Sequence, residues 1–188
     1  MNDWGTALDS IRAAVPRRDL ELQEITAPDG LAPHAYALAA NVHPRQHGID
    51  SELGVGRFIV LHDPTMPDAW DGAYRVISYA QAPLDREIGS DPVLPEVAWS
   101  WLVDALAGRG ATHHAASGTA TTVLSTGFGG LAGEGQGAQI ELRASWTPDR
   151  ADLGVHLEAW SDFLCMLAGL PLDEGVASLD AQRLAHGR

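Results

Sequence analysis

Apolar residues recur along the chain at spacings that change from helical to alternating and back, and these changes mark the elements. Trp4, Ala7, Leu8, Ile11, Ala14 and Val15 share one side of a helix that Asn2 or Asp3 can cap and Pro16 ends. Asp19 to Ile25 alternates at Leu20 and Leu22 and reads as a strand broken by the TAPDG turn. Leu31, Ala35, Leu38 and Val42 then sit at helical spacing, which predicts a short helix. After the polar stretch NVHPRQHGIDSE, LGVGRFIVLHD is apolar on both faces, as a central strand is, and AYRVISYAQA is the next strand. The run 138–147 alternates throughout, with Ala138, Ile140, Leu142, Ala144 and Trp146 on one face and Gln139, Glu141, Arg143, Ser145 and Thr147 on the other.

The run LPEVAWSWLVDAL, Leu94 to Leu106, predicts a helix with an unusual wheel. Trp99 and Trp101 point about 160 degrees apart, and only Glu96, Ser100 and Asp104 form a polar arc, roughly 80 degrees wide. Either the helix lies in a two-sided core or one indole faces a partner. Thr112 to Thr126 reads as a long strand of small residues, joined to 138–147 by a glycine-rich hairpin loop. Asp152 to Ala168 forms the last helix, with Leu153, Leu157, Trp160, Phe163, Leu164 and Leu167 toward the core and Glu158 and Asp162 on its polar face. His156, in the first turn, is expected to reach solvent. Together these elements predict an α+β fold, a single mostly antiparallel sheet of about five strands with helices packed mainly on one face. Without the short helix, the order matches the layout of type III secretion chaperone-like folds, an analogy of fold alone. The whole chain, 1–188, reads as a single domain whose tail is poorly ordered from about residue 178.

Composition narrows the function classes. The 188 residues carry a formal charge of −13, which disfavours direct contact with nucleic acid or an anionic membrane. All twelve basic residues are Arg. Without Lys, the usual P-loop NTPase, pyridoxal-phosphate and Schiff-base chemistries lack their amine. Cys165 is the one cysteine, so no intrachain disulfide is available, and its place in the apolar side of a helix suits a buried hydrophobe. The acidic N-terminal segment is no signal peptide and no apolar run spans a bilayer, so the expected compartment is the cytoplasm.

No catalytic motif, cofactor signature or recognised metal-ligand spacing is present. His62 and Asp63 end the central strand, and with Arg75 and His113 they make a polar set at strand ends, where sites gather. The competing account is that His62 and Asp63 shape a turn. His43 and His47 flank Pro44, which favours a loop over a helical metal pair. Gly127 to Gly137 lacks the helix that a phosphate loop hands over to.

The segments LAPHAYALAA at Leu31, LHDP at Leu61, LPEVAWSWL at Leu94 and ASWTP at Ala144 resemble an actinobacterial family known as domain of unknown function three thousand. The resemblance runs from about Leu20 to Leu170 and implies no activity, cofactor or catalytic residue. The resemblance further implies a gene neighbourhood that often holds a ribonuclease D-like exonuclease and a haem-pathway decarboxylase, an association that goes with a third reading, a regulator of a nucleic-acid-processing partner. The leading expectation is a non-enzymatic protein-binding or adaptor module, homodimeric or with an unknown protein partner, using apolar surface around Trp99, Trp101 and Trp70. The alternative is a small-molecule or metal-dependent enzyme with its site at His62, Asp63, Arg75 and His113.

Overall fold

The computed structural model describes residues 3–43, 53–134 and 136–170. In chain order the elements are α1 (Asp3–Ala13), β1 (Leu20–Ile25), β2 (His34–Val42), β3 (Gly54–His62), β4 (Tyr74–Leu84), α2 (Arg86–Gly89), α3 (Leu94–Gly108), β5 (His113–Thr126), a 3-10 helix (Gly129–Glu134), β6 (Gln136–Pro148) and α4 (Gly154–Leu167). The strands form one antiparallel sheet in the order β1-β2-β3-β4-β6-β5. The chain leaves β4 through α2 and α3, enters at the far edge as β5, and returns as β6 into the slot between.

Among the described residues the sheet has six strands rather than five because the segment expected as a short helix is β2. Its alanines favour a helix locally, but the edges of β1 and β3 both bond to this segment, and sheet pairing overrides propensity. Leu38, Ala40 and Val42 then face the core, with Ala37 and Ala39 on the other side of the strand. The predicted tail from residue 178 and His47 lie outside the described residues.

Even-numbered positions of β2, β3, β4 and β6 face the helices and make the core. Phe58, Val60, Val76, Ala80, Ile140, Leu142 and Trp146 pack there against Leu157, Trp160, Phe163 and Leu164 of α4. Polar groups on a helix buried on nearly every side need partners from the elements packed against it. His156, expected at the surface, is buried: its Nδ1 accepts a hydrogen bond from the Trp146 indole N–H at 3.1 Å. Burial, with His113 nearby, pulls its pKa from 6.5 to about 4, so the ring is a neutral acceptor. Asp162, read as part of a solvated face, is buried too, and accepts a two-pronged hydrogen bond from Arg109 at the end of α3, at 2.6 and 3.0 Å. The wheel showed a carboxylate on the polar arc, but α3 crosses over that arc.

Helix α4 has no capping side chain of its own. Ser10 of α1 supplies one: its Oγ accepts the backbone N–H groups of Leu153 and Gly154 at 2.9 and 3.2 Å. The helices touch so closely there that a Cβ on Gly154 would stand 2.4 Å from the Ser10 carbonyl oxygen. Gly56 plays the same role under α4, where a Cβ would meet the Trp160 ring at 2.5 Å.

Candidate functional site

Among the described residues the helices cover one face of the sheet. On the other, odd-numbered residues form rows fixed by the register. One row runs Ala39, Arg57, Tyr79, Arg143 and Thr119, and the next runs Ala37, Ile59, Ile77, Ser145 and Ser117. These rows, apart from the buried Ala37, line an open depression of about 970 Å³ together with Asn41 and Val55. Its floor is aliphatic and its flanks carry guanidinium groups. Arg143 lies over the Tyr79 ring, 5.4 Å from the centroid, and pairs with Glu141 at 3.3 Å. Tyr79 donates to Gln81 Oε1 at 2.5 Å, and desolvation followed by the nearby Glu141 raises its phenol pKa, keeping it a donor.

One end of the depression is closed. The connection from His62 to Tyr74 folds across it: the Thr147 hydroxyl donates to the Trp70 carbonyl, and a Cβ on Gly72 would stand 2.7 Å from the Thr147 methyl group. At the other wall a bulge in β5 between His114 and Ser117 places Ala115 at φ 49, and turns its carbonyl toward Arg75. Arg75 bonds that carbonyl at 2.9 Å, Thr147 Oγ1 at 3.0 Å and Ser145 Oγ at 2.6 Å, all neutral acceptors. Its partial burial lowers its pKa.

The polar set read from strand ends is divided between the two faces. His62 is buried on the helix side, its ring stacked with Trp4 and His34 at 5.6 and 5.4 Å and tilted against Tyr74 at 4.6 Å. Asp63 is held in the following turn by the Thr65 hydroxyl and N–H, bonds that lower its carboxyl pKa. His113 meets the edge of the Trp146 ring, and Arg75 stands on the open face. Period-two geometry decides this: His62 and Arg75 differ in parity on paired strands, so their side chains diverge. His114 bonds Asp149 at 2.6 Å and the Asp71 carbonyl at 2.9 Å, which raises its pKa. Among the described residues no group of three His, Cys, Asp or Glu is placed to hold a metal.

The two tryptophans of α3 separate as their spacing requires. Leu94, Ala98, Leu102 and Leu106 form the buried seam. Trp99 leans onto β5, where a Cβ at Gly118 would be 2.7 Å from its ring, whereas Trp101 is 36% exposed. Trp70 is half-buried in the β3–β4 connection. Sequence reasoning missed the arginine row: the odd positions of 138–147 were legible as a wet face, but which residues of β3 and β4 stand beside Arg143 depends on register.

Among the described residues, the elements define an α+β protein with an open antiparallel sheet covered by helices on one face and edged by β1 and β5. The chain matches the family model described as Protein of unknown function (DUF3000) over residues 1–177, and belongs to that family. No curated protein and no solved structure matches it, so the secretion-chaperone layout stays an analogy of element order. Among the described residues no helix is long and apolar enough to cross a membrane.

Proposed function

We propose that this protein is a non-enzymatic protein-binding module that joins a second copy of itself through the free edge of β5. The observation that carries the reading is the character of that edge. β5 is 14 residues long and, among the described residues, pairs only with β6. Exposed edges are normally guarded by charge, proline or short length. Here no Asp, Glu, Lys, Arg or Pro stands between Arg109 and Glu134. Exposed apolar residues accompany the edge: Leu124 stands on β5, Phe128 and Leu131 in the connection that follows it, and Leu124 reaches Gly89 of α2, next to the exposed Ile88. Two copies of a chain at −13 repel wherever their acids meet, so an uncharged strand is the surface on which they can approach. Antiparallel pairing about a two-fold axis uses the same patch on both copies.

Light scattering after gel filtration across a wide concentration range tests this. We expect a dimer, and Thr121→Lys, at an exposed position in the middle of the edge, to weaken it at least tenfold while the fold is kept. A monomer at every concentration overturns the reading.

A further inference from the structure

We infer that the open face of the sheet is a binding site for a carboxylate that carries an apolar body, with Arg57 receiving the head group and Ile59 and Ile77 supporting the body. This inference is independent of the β5 edge. Three of the twelve arginines of a strongly acidic chain, Arg57, Arg75 and Arg143, are on this one face, and two of them, Arg57 and Arg143, line the depression. Each is engaged differently. Arg143 is offset by Glu141. Arg75, outside the depression and bonded to lining residue Ser145, makes its hydrogen bonds to Ala115, Ser145 and Thr147, none of them charged. Arg57 is exposed on β3 and its side chain makes no hydrogen bond or ion pair among the described residues, which leaves its planar fork open to an incoming carboxylate.

The floor accounts for the rest of the ligand. Ile59 and Ile77 stand side by side on neighbouring strands with Ser145 beyond Ile77, and Val55 lies further along β3 on the far side of Arg57. Ile59 to Ser145 crosses two strand spacings, about 10 Å, and the run from Ile59 past Arg57 to Val55 adds length along β3, which suits a medium-length alkyl or an aromatic body. The volume of about 970 Å³ falls within the range of roughly 300–1,000 Å³ of ligand pockets. An inorganic anion would leave this aliphatic floor uncovered, and a neutral lipid would leave Arg57 unanswered.

Isothermal titration with dodecanoate below its micelle concentration, beside dodecanol and acetate, separates the two halves of the site. We expect one dodecanoate per chain, binding about tenfold or more weakly in Arg57→Gln. Dodecanol and acetate should both bind more weakly than dodecanoate. Ile77→Ser tests the floor independently and should weaken dodecanoate without creating acetate binding. Unfolding midpoints of both variants establish that they are folded. The inference fails if dodecanoate does not bind, if dodecanol binds as tightly, or if Arg57→Gln binds unchanged. Binding of acetyl-hexaglutamate in place of dodecanoate would also overturn it, in favour of a peptide-binding face.

Discussion

His156 shows how one side chain couples the core to pH. Its ring is neutral in the folded protein, with a pKa near 4, and an unfolded chain takes up the proton near 6.5. Between those values the unfolded state binds more protons, so stability falls as pH drops through this window. The difference is worth about 3 kcal/mol once pH is below both values. Urea unfolding at steps from pH 7 to pH 4 should show this slope, and His156→Asn, which keeps an acceptor for the Trp146 indole, should flatten it. An equal slope in the variant would assign the loss to carboxylates instead. Gly56 is a second residue whose chemistry is set by a neighbour. With Trp160 fully buried above it and the Tyr79 carbonyl beside it, a methyl group has nowhere to go, and Gly56→Ala should destabilise the fold by about 2–3 kcal/mol in the same assay.

Helix α4 depends on groups donated by other elements. Ser10 caps its first turn from α1, and Arg109 of the α3 terminus binds Asp162 and, at 3.4 Å, Glu158. Glu158 also accepts the Val15 backbone N–H at 2.8 Å, so it ties the chain after α1 to the same helix. Ser10→Ala should cost about 1 kcal/mol, as loss of an ordinary N-cap does, although Ser10 stands more than a hundred residues away along the chain. A melting temperature equal to the parent's would show that another group or water caps the helix. The element that sequence reasoning mistook, β2, is explained at this scale as well. Its alanine-rich pattern satisfies a helix, and only bonding to strands on both sides decides otherwise.

Across the whole molecule, the strong negative charge opposes self-association and the uncharged β5 edge permits it. Repulsion between copies extends over a Debye length of about 30 Å at 0.01 M salt and about 10 Å at 0.1 M. The proposed dimer should therefore tighten as salt rises across that range, measured by sedimentation equilibrium. A dimer that loosens with salt would place ion pairs in the interface and shift attention from β5 to the charged surfaces. The open sheet face is a separate surface, and ligand binding there should leave the salt dependence of the dimer unchanged.

Hydrophobic periodicity carried much of this architecture. It located α1, β1, β3, β4, α3, β5, β6 and α4 within a few residues, and the alternation from Ala138 to Thr147 already implied a sheet with one uncovered face, because burial is periodic along each element. The wheel of Leu94 to Leu106 also implied that Trp99 and Trp101 have different surroundings. It could not say which faces the protein, since that depends on where β5 passes, and the glycine at position 118 makes room for Trp99. The candidate site was less legible. His62, Asp63, Arg75 and His113 are near one another along paired strand ends, but the sheet has two sides, and parity across the register sends His62 under the helices and Arg75 to the open face. Register likewise sets Arg57, Tyr79 and Arg143 in one row. A sequence states which side of its own strand a residue occupies, and only the pairing of strands distant in the chain states what stands beside it.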